Sequence, residues 1–343
     1  MAHMNGEWHA LPRPWRKTPL IHSRILTKHA GCQIYLKLET LQPSGSFKSR
    51  GIGNFLLTHL QNSPSNTKPH FYSSSGGNAG LACVHAAVTL GCPSTIMVPL
   101  STSAYMISKL RAAGASDVIQ YGESWYEADS HLRQDVIPAA KHKGEDAVYV
   151  PPFDAQEIWD GHATLAGEVL EQMKDDGTGD AGPDVLVCSV GGGGLFCGIM
   201  QGLDSAGRAN TRVLAVETKG ADSFALSLRE RELSTLPRIT SIATTLGSRT
   251  VAAKAFEYGM RDNVTSVVLS DDEAIEACVR FADDERTMVE PACGVSLALC
   301  YNGGLKRVVP GLKEQSKVVL VVCGGSGVNV EMLHKWASQL EKR

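Results

Sequence analysis

One lysine, Lys48, lies in a glycine- and serine-rich run, Pro43-Ser44-Gly45-Ser46-Phe47-Lys48-Ser49-Arg50-Gly51. Just upstream is the apolar, strand-like Ile34-Tyr35-Leu36-Lys37-Leu38, and a helical pattern (Ile52, Phe55, Leu56, Leu60) follows. A lysine held at the mouth of a helix can form an imine with an aldehyde cofactor. A lysine on a surface turn reads the same way locally. The weight therefore falls on two other glycine-rich loops that suit the same kind of cofactor.

The first is Ser189-Val190-Gly191-Gly192-Gly193-Gly194-Leu195, between a buried-strand run and a helical run with Cys197, Met200 and Gln201. Consecutive glycines let backbone N–H groups converge on an anion at a helix N-terminus. The helix dipole adds about 0.3–1 kcal/mol for a phosphate there. A tight strand-to-helix turn is the plainer reading. A P-loop is excluded, because no lysine ends the run. Phe196 stands where a dinucleotide fingerprint needs its third glycine.

The second is Ser73-Ser74-Ser75-Gly76-Gly77-Asn78-Ala79-Gly80. Its hydroxyls and N–H groups can hold a carboxylate. Asn78 can donate to a phenolic oxygen or simply cap the helix that follows. Further on, Cys323-Gly324-Gly325-Ser326-Gly327 ends a strong strand. Its thiol can donate weakly to a heterocyclic nitrogen, or be a buried structural cysteine.

The elements that must position these loops alternate along the chain. Strand-like runs are His70–Ser73, Thr95–Val98, Val118–Tyr121, Val148–Val150, Asp184–Val190, Val213–Glu217 and Val318–Val322. Helical patterns carry Leu81, Val84, His85 and Val88, ending at Gly91, and Ser108 to Ala113, ending at Gly114. Continuous β-branched runs mark strands buried on both faces, hence parallel sheets covered by helices. The reading is α/β, doubly wound, with ligand loops at the carboxyl ends of the strands. The polar, glycine-rich Asp175–Pro183 reads as a surface loop. Met332, Leu333 and Trp336 predict one terminal helix, and no regulatory domain is expected after Val330.

Composition narrows the function classes. With 343 residues the chain can build two lobes. A net charge of -3 gives no basic field for nucleic acid. No apolar run reaches the roughly 20 residues that span a bilayer. The N-terminus, with Trp8, Trp15 and several basic residues, has no apolar core and is not a secretory signal. Met1-Ala2-His3-Met4 reads as a cloning scar. The nine scattered cysteines show neither Cys-x-x-Cys nor zinc-ligand spacing, so reduced thiols in a cytoplasmic protein are expected.

Taken together, the four loops resemble the fold-type II pyridoxal-phosphate enzymes, and most closely the eukaryotic L-serine dehydratase/L-threonine deaminase family. The likeness runs from Thr18-Pro19-Leu20 to about Val330. It includes Gln42–Gly51, Pro151-Pro152-Phe153-Asp154, Ile158-Trp159-Asp160-Gly161-His162-Ala163 and Glu290-Pro291-Ala292-Cys293-Gly294.

The resemblance implies two doubly wound parallel-sheet domains with pyridoxal 5'-phosphate in the cleft between them. Residues 5–50 with 153–343 would form the large cofactor-binding domain, and residues 51–152 the small one. It implies that Lys48 bears the cofactor and Phe47 shields one face of its ring. Asn78 would bond the phenolic oxygen, Gly191, Gly192, Gly193, Gly194 and Leu195 the phosphate, and Cys323 would face the pyridine nitrogen. Thr245 falls where the family has a small residue on the other ring face. Ser74, Ser75, Gly77 and Asn78 would form the substrate loop, with Ser75 matching its central serine. Gly191, Glu217, Ala221, Leu246 and Ser248 fit the family's cation site. Ser223, in place of a carboxylate, favours a monovalent ion such as potassium.

The implied reaction is α,β-elimination from L-serine to pyruvate and ammonia, and from L-threonine to 2-oxobutanoate. In the family account the cofactor phosphate protonates the departing hydroxyl. A thiol rather than an aspartate at the ring nitrogen suits elimination over transamination. A homodimer, amino-acid catabolism and gluconeogenesis come with the same resemblance. Gly76 stands where racemase relatives carry a serine, so racemisation is expected to be weak. Alternatives are a serine racemase-like enzyme, a cysteine-synthase-type β-replacement enzyme, and a pyridoxal-phosphate binding or sensor protein without turnover.

Overall fold

The computed structural model describes residues 11–63, 68–175 and 182–341. Met1–Met4, expected to be a cloning scar, Trp8, the start of the expected large domain and most of the loop expected at 175–183 lie outside the described residues.

Two sheets organise the chain. The first has the order β1-β2-β10-β7-β8-β9. Its strands are β1 (Leu20–His22), β2 (Gln33–Leu38), β7 (Val185–Ser189), β8 (Arg212–Thr218), β9 (Val264–Leu269) and β10 (Lys317–Val322). The second has the order β5-β4-β3-β6. It comprises β3 (His70–Ser73), β4 (Ser94–Val98), β5 (Asp117–Gln120) and β6 (Ala147–Tyr149). Every pairing is parallel except β1 with β2. The expected α/β class with two parallel sheets is what the chain adopts. The antiparallel β1 at the edge makes the first sheet mixed.

The continuous apolar runs sit where that topology needs them. β4 and β7 are buried along their whole length, and β10 is buried from Val318 onward. Each has neighbours on both sides, and helices cover the faces. β9 and β1 went unread because they are edge strands. β9 alternates little and is half-exposed, and β1 has three residues.

Strand ends deliver the glycine-rich loops. β2 leads to Lys48, which opens the helix Lys48–Asn62. β3 leads to the serine loop and the helix Asn78–Leu90. β7 runs into the tetraglycine and the helix Gly194–Ser205. β10 ends at Cys323. β2, β10 and β7 are adjacent parallel strands of the first sheet and β3 belongs to the second, and it is at such carboxyl ends that open α/β sheets bind ligands.

The helix Gln156–Asp175 packs against both the Lys48 helix and the helix Gly194–Ser205. Glycines permit that closeness. A Cβ at Gly161 would meet the Arg50 backbone, and one at Gly202 the Ala163 carbonyl. Below Lys48 lies a buried ionic network. Arg50 donates to Glu39 at 2.7 and 2.8 Å and to Glu168 at 2.7 Å from each of two nitrogens. Lys37 donates to the Glu168 carboxylate at 2.6 Å and to the Thr18 carbonyl at 2.7 Å. Burial disfavours the Arg50 charge, but bonds to the two glutamates more than offset it and raise its pKa.

Candidate active site

Lys48 is the first residue of its helix, and its Nζ donates to the Pro152 carbonyl. Burial pulls its pKa down from 10.5 to about 8, against a smaller opposing pull from Cys323. About a tenth of Lys48 is therefore the free, nucleophilic amine at pH 7, far more than for a lysine at 10.5. The Lys48 Nζ lies 5.4 Å from the centre of the Phe47 ring.

The lysine and cysteine loops are laced together by backbone. The Phe47 N–H donates to the Cys323 carbonyl at 3.1 Å, and the Gly325 N–H to the Gly45 carbonyl at 3.0 Å. Cys323 itself is buried. Its sulfur lies 3.3 Å from the Ser189 hydroxyl and contacts the Val321 carbonyl at 3.6 Å. A hydrogen bond from Cys293, then one from Ser189, draws its pKa down. All nine cysteines are free and buried, as expected from their scatter.

Asn78 does not cap its helix. Gly77 is the N-cap, without a side-chain bond. The Asn78 Nδ2 donates to Glu290 at 2.8 Å, and its Oδ1 accepts the Ser326 N–H at 3.0 Å. In the same loop the Ser74 hydroxyl donates to the buried Asp129 at 2.7 Å, so its side chain braces the loop. Tyr149 donates to the same Asp129 oxygen at 2.6 Å. The Ser75 hydroxyl accepts the Gly77 N–H at 3.3 Å.

Gly193 has φ +90°, and all four glycines are sterically required. A Cβ at Gly192 would enter the Phe153 ring, one at Gly193 would lie 2.5 Å from Ala255, and one at Gly194 2.7 Å from the Phe153 carbonyl. At Gly191 it would meet the Leu246 backbone at 3.0 Å. Among the described residues the N–H groups of Gly191 to Leu195 have no hydrogen-bond partner. A row of such donors at the start of a 12-residue helix suits a phosphate. The buried, unpartnered Ser46 hydroxyl lies beside these loops' meeting point, where Ser46 pairs with Gly324. This donor set and the low-pKa lysine fit pyridoxal phosphate.

The expected cation residues are held by the following contacts. Glu217, at the end of β8, accepts the Phe224 and Ala225 N–H groups at 2.9 and 2.8 Å. Burial raises its pKa to about 8, against those two bonds. Leu246 packs on Gly191, and the Ser248 hydroxyl donates to the Thr250 carbonyl at 2.6 Å. Ala221 is buried, and its N–H donates to the Thr218 carbonyl at 2.9 Å. No acidic, histidine or cysteine cluster able to hold a metal occurs among the described residues.

Two functional candidates escaped the sequence reading. Glu290 accepts from Asn78, from Thr245 at 2.5 Å and from the Gly327 N–H at 3.1 Å. His162 is fully buried, and neither ring nitrogen has a partner among the described residues. Burial, then the Lys48 and Arg50 charges, push its pKa well below the usual range. This neutral ring packs 5.2 Å from the Phe47 ring. Both residues lie in motifs quoted for the resemblance. Their one local signal is a charged or titratable residue beside an apolar run.

Residues 11–324 match the model of the pyridoxal-phosphate dependent enzyme family. The chain belongs to this family. Among similar pyridoxal-phosphate enzymes, an L-serine dehydratase of Saccharomyces cerevisiae is 42% identical over 331 residues, 95% of this chain and 98% of that protein. The human L-serine dehydratase/L-threonine deaminase is 40% identical over 333 residues, 94% of this chain and 95% of that protein. A solved fungal L-serine ammonia-lyase from Rhizomucor miehei superposes with a TM-score of 0.86 at 35% identity, covering 95% of this chain and 98% of that one. No described helix of this pyridoxal-phosphate enzyme is long and apolar enough to cross a membrane.

Proposed function

We propose that the protein is a pyridoxal-phosphate-dependent ammonia-lyase converting L-serine to pyruvate and ammonia, and L-threonine to 2-oxobutanoate and ammonia. The observation that carries this reading is 42% identity, over 95% of the chain, to a protein named L-serine dehydratase.

When bound, pyridoxal phosphate supplies an aldehyde for a lysine amine and an electron sink for the substrate carbanion. The N–H groups of Gly191 to Leu195 would hold its phosphate and the remaining Asn78 N–H its phenolic oxygen, with Phe47 and Thr245 on its two faces and Cys323 toward its ring nitrogen. The Ser75 hydroxyl and the N–H groups of Ser74, Ser75 and Gly77 orient the substrate carboxylate. Lys48 Nζ, with its pKa drawn down to about 8, accepts the Cα proton. The β-hydroxyl takes up a proton and leaves as water, and the released enamine is hydrolysed to the 2-oxo acid and ammonia.

Residues 11–50 and 153–341 make the cofactor-holding part, and residues 51–152 carry the substrate loop. Gly191, Glu217, Ala221, Leu246 and Ser248 would hold a potassium ion, which would support the phosphate loop. The buried, unpartnered Ser223 hydroxyl favours a ligand there. A cytoplasmic homodimer acting in amino-acid catabolism and gluconeogenesis completes the reading.

Gly76 offers no hydroxyl to reprotonate Cα from the opposite face. A Cβ at this position would already touch Thr102 at 3.1 Å and Val98 at 3.2 Å. The test is 2-oxo acid formation from L-serine, L-threonine and D-serine, with and without potassium, plus chiral analysis of residual serine. Pyruvate from L-serine without added sulfide is expected. Abundant D-serine would favour a racemase, product only with sulfide a β-replacement enzyme, and a cofactor-loaded but inert protein a sensor.

A further inference from the structure

Glu290 is a buried carboxylate at the junction of four separate segments. It is the N-cap residue of the helix Pro291–Leu297, but its side chain makes no capping bond. Its Oε1 accepts from the Asn78 Nδ2 at 2.8 Å and the Thr245 hydroxyl at 2.5 Å, and its Oε2 from the Gly327 N–H at 3.1 Å. The backbone is shaped around it. Gly325 has φ +116°, and a Cβ there would fall on the Glu290 carboxyl.

Each partner is thereby oriented. The Asn78 amide gives one N–H to Glu290, while its oxygen accepts the Ser326 N–H at 3.0 Å. Its flip state is fixed, and one Nδ2–H remains to donate. The Thr245 hydroxyl proton is committed to Glu290, and its methyl carbon lies 3.8 Å from where a Gly77 Cβ would stand. Thr245 thus bonds the carboxylate while lying beside the substrate loop.

We propose that Glu290 is a positioning residue: its carboxylate fixes the Asn78 amide and the Thr245 hydroxyl in one orientation, and so sets the affinity of the site for pyridoxal phosphate. The inference rests on the cofactor reading above, but not on which amino acid is the substrate. A glutamine at 290 keeps the shape and can accept from Asn78 and Thr245. Its amide nitrogen then confronts the Gly327 N–H, so a buried donor loses its acceptor.

The test is a pyridoxal phosphate titration of apoprotein, followed by absorbance, for wild type, Glu290→Gln, Thr245→Val, Asn78→Ala and the Glu290→Gln/Asn78→Ala pair. Glu290→Gln is expected to raise Kd about tenfold and shift the absorption maximum of the bound cofactor. Thr245→Val, which removes one hydroxyl, is expected to raise Kd several-fold. Asn78→Ala is expected to add less than about threefold to Glu290→Gln, because the two act as one unit. Kd values within twofold of wild type with an unchanged absorption maximum, or penalties that multiply fully, would overturn the proposal. Should Glu290→Gln not fold, Thr245→Val decides alone by the same criterion. Wild type that binds cofactor but makes no pyruvate would sink the lyase reading and leave this cycle interpretable.

Discussion

Arg50 Nε donates to Glu39 Oε2 at 2.7 Å, and both side chains are fully buried. Arg50 lies two residues past Lys48 on the same helix, and Glu39 lies just past β2. The pair therefore fixes the helix that presents the lysine to the strand that precedes it.

Replacing Arg50 by methionine leaves Glu39 buried without its cation. We expect a loss of about 3–5 kcal/mol in unfolding free energy, read from urea denaturation. A change below about 1 kcal/mol would show that the network contributes little.

Cofactor uptake should follow the ionisation of Lys48. Its folded pKa of about 8 lies below the ordinary 10.5, so the free amine forms as pH rises through about 8. The rate at which apoprotein takes up pyridoxal phosphate should rise with that midpoint and level off above it. A midpoint near 10 would mean that burial does not act on this amine.

Glu217 should couple stability to pH and to potassium. Its folded pKa of about 8 lies above the ordinary 4.5. Its stabilising contribution is complete below pH 4.5 and is lost as pH rises through about 8. Glu217→Gln should flatten this loss in a series of Tm measurements between pH 6 and 9. Potassium should oppose the loss in wild type and have no effect in the variant. A potassium response that survives in Glu217→Gln would place the ion elsewhere.

Much of this was legible in the residues. β7, β8 and β10 carry β-branched or aliphatic runs, because neighbours and helices bury both faces. The glycine loops announced themselves because Gly191 to Gly194 have no room for a Cβ. What stayed hidden depends on contacts remote in sequence. Nothing near Glu290 points to Asn78 or Thr245. Nothing near Asn78 tells a helix cap from a bridge to Ser326. Lys37 alternates with apolar neighbours, as a solvent-facing strand residue would, yet it is fully buried on Glu168.

Asp129 should govern substrate affinity through the serine loop. It takes hydrogen bonds from both Ser74 and Tyr149. Asp129→Ala removes the one oxygen to which both Ser74 and Tyr149 donate, so the Ser74 hydroxyl loses its anchor. We expect KM for L-serine to rise about tenfold, with kcat changed less than threefold. A fall in kcat at unchanged KM would assign Asp129 to the chemical step instead.

The most direct test of the central claim is borohydride reduction of the cofactor-loaded protein followed by peptide mapping. The account predicts one pyridoxyl label, on the peptide carrying Lys48, and no label in Lys48→Ala. A label on another lysine, or none in wild type, would contradict it.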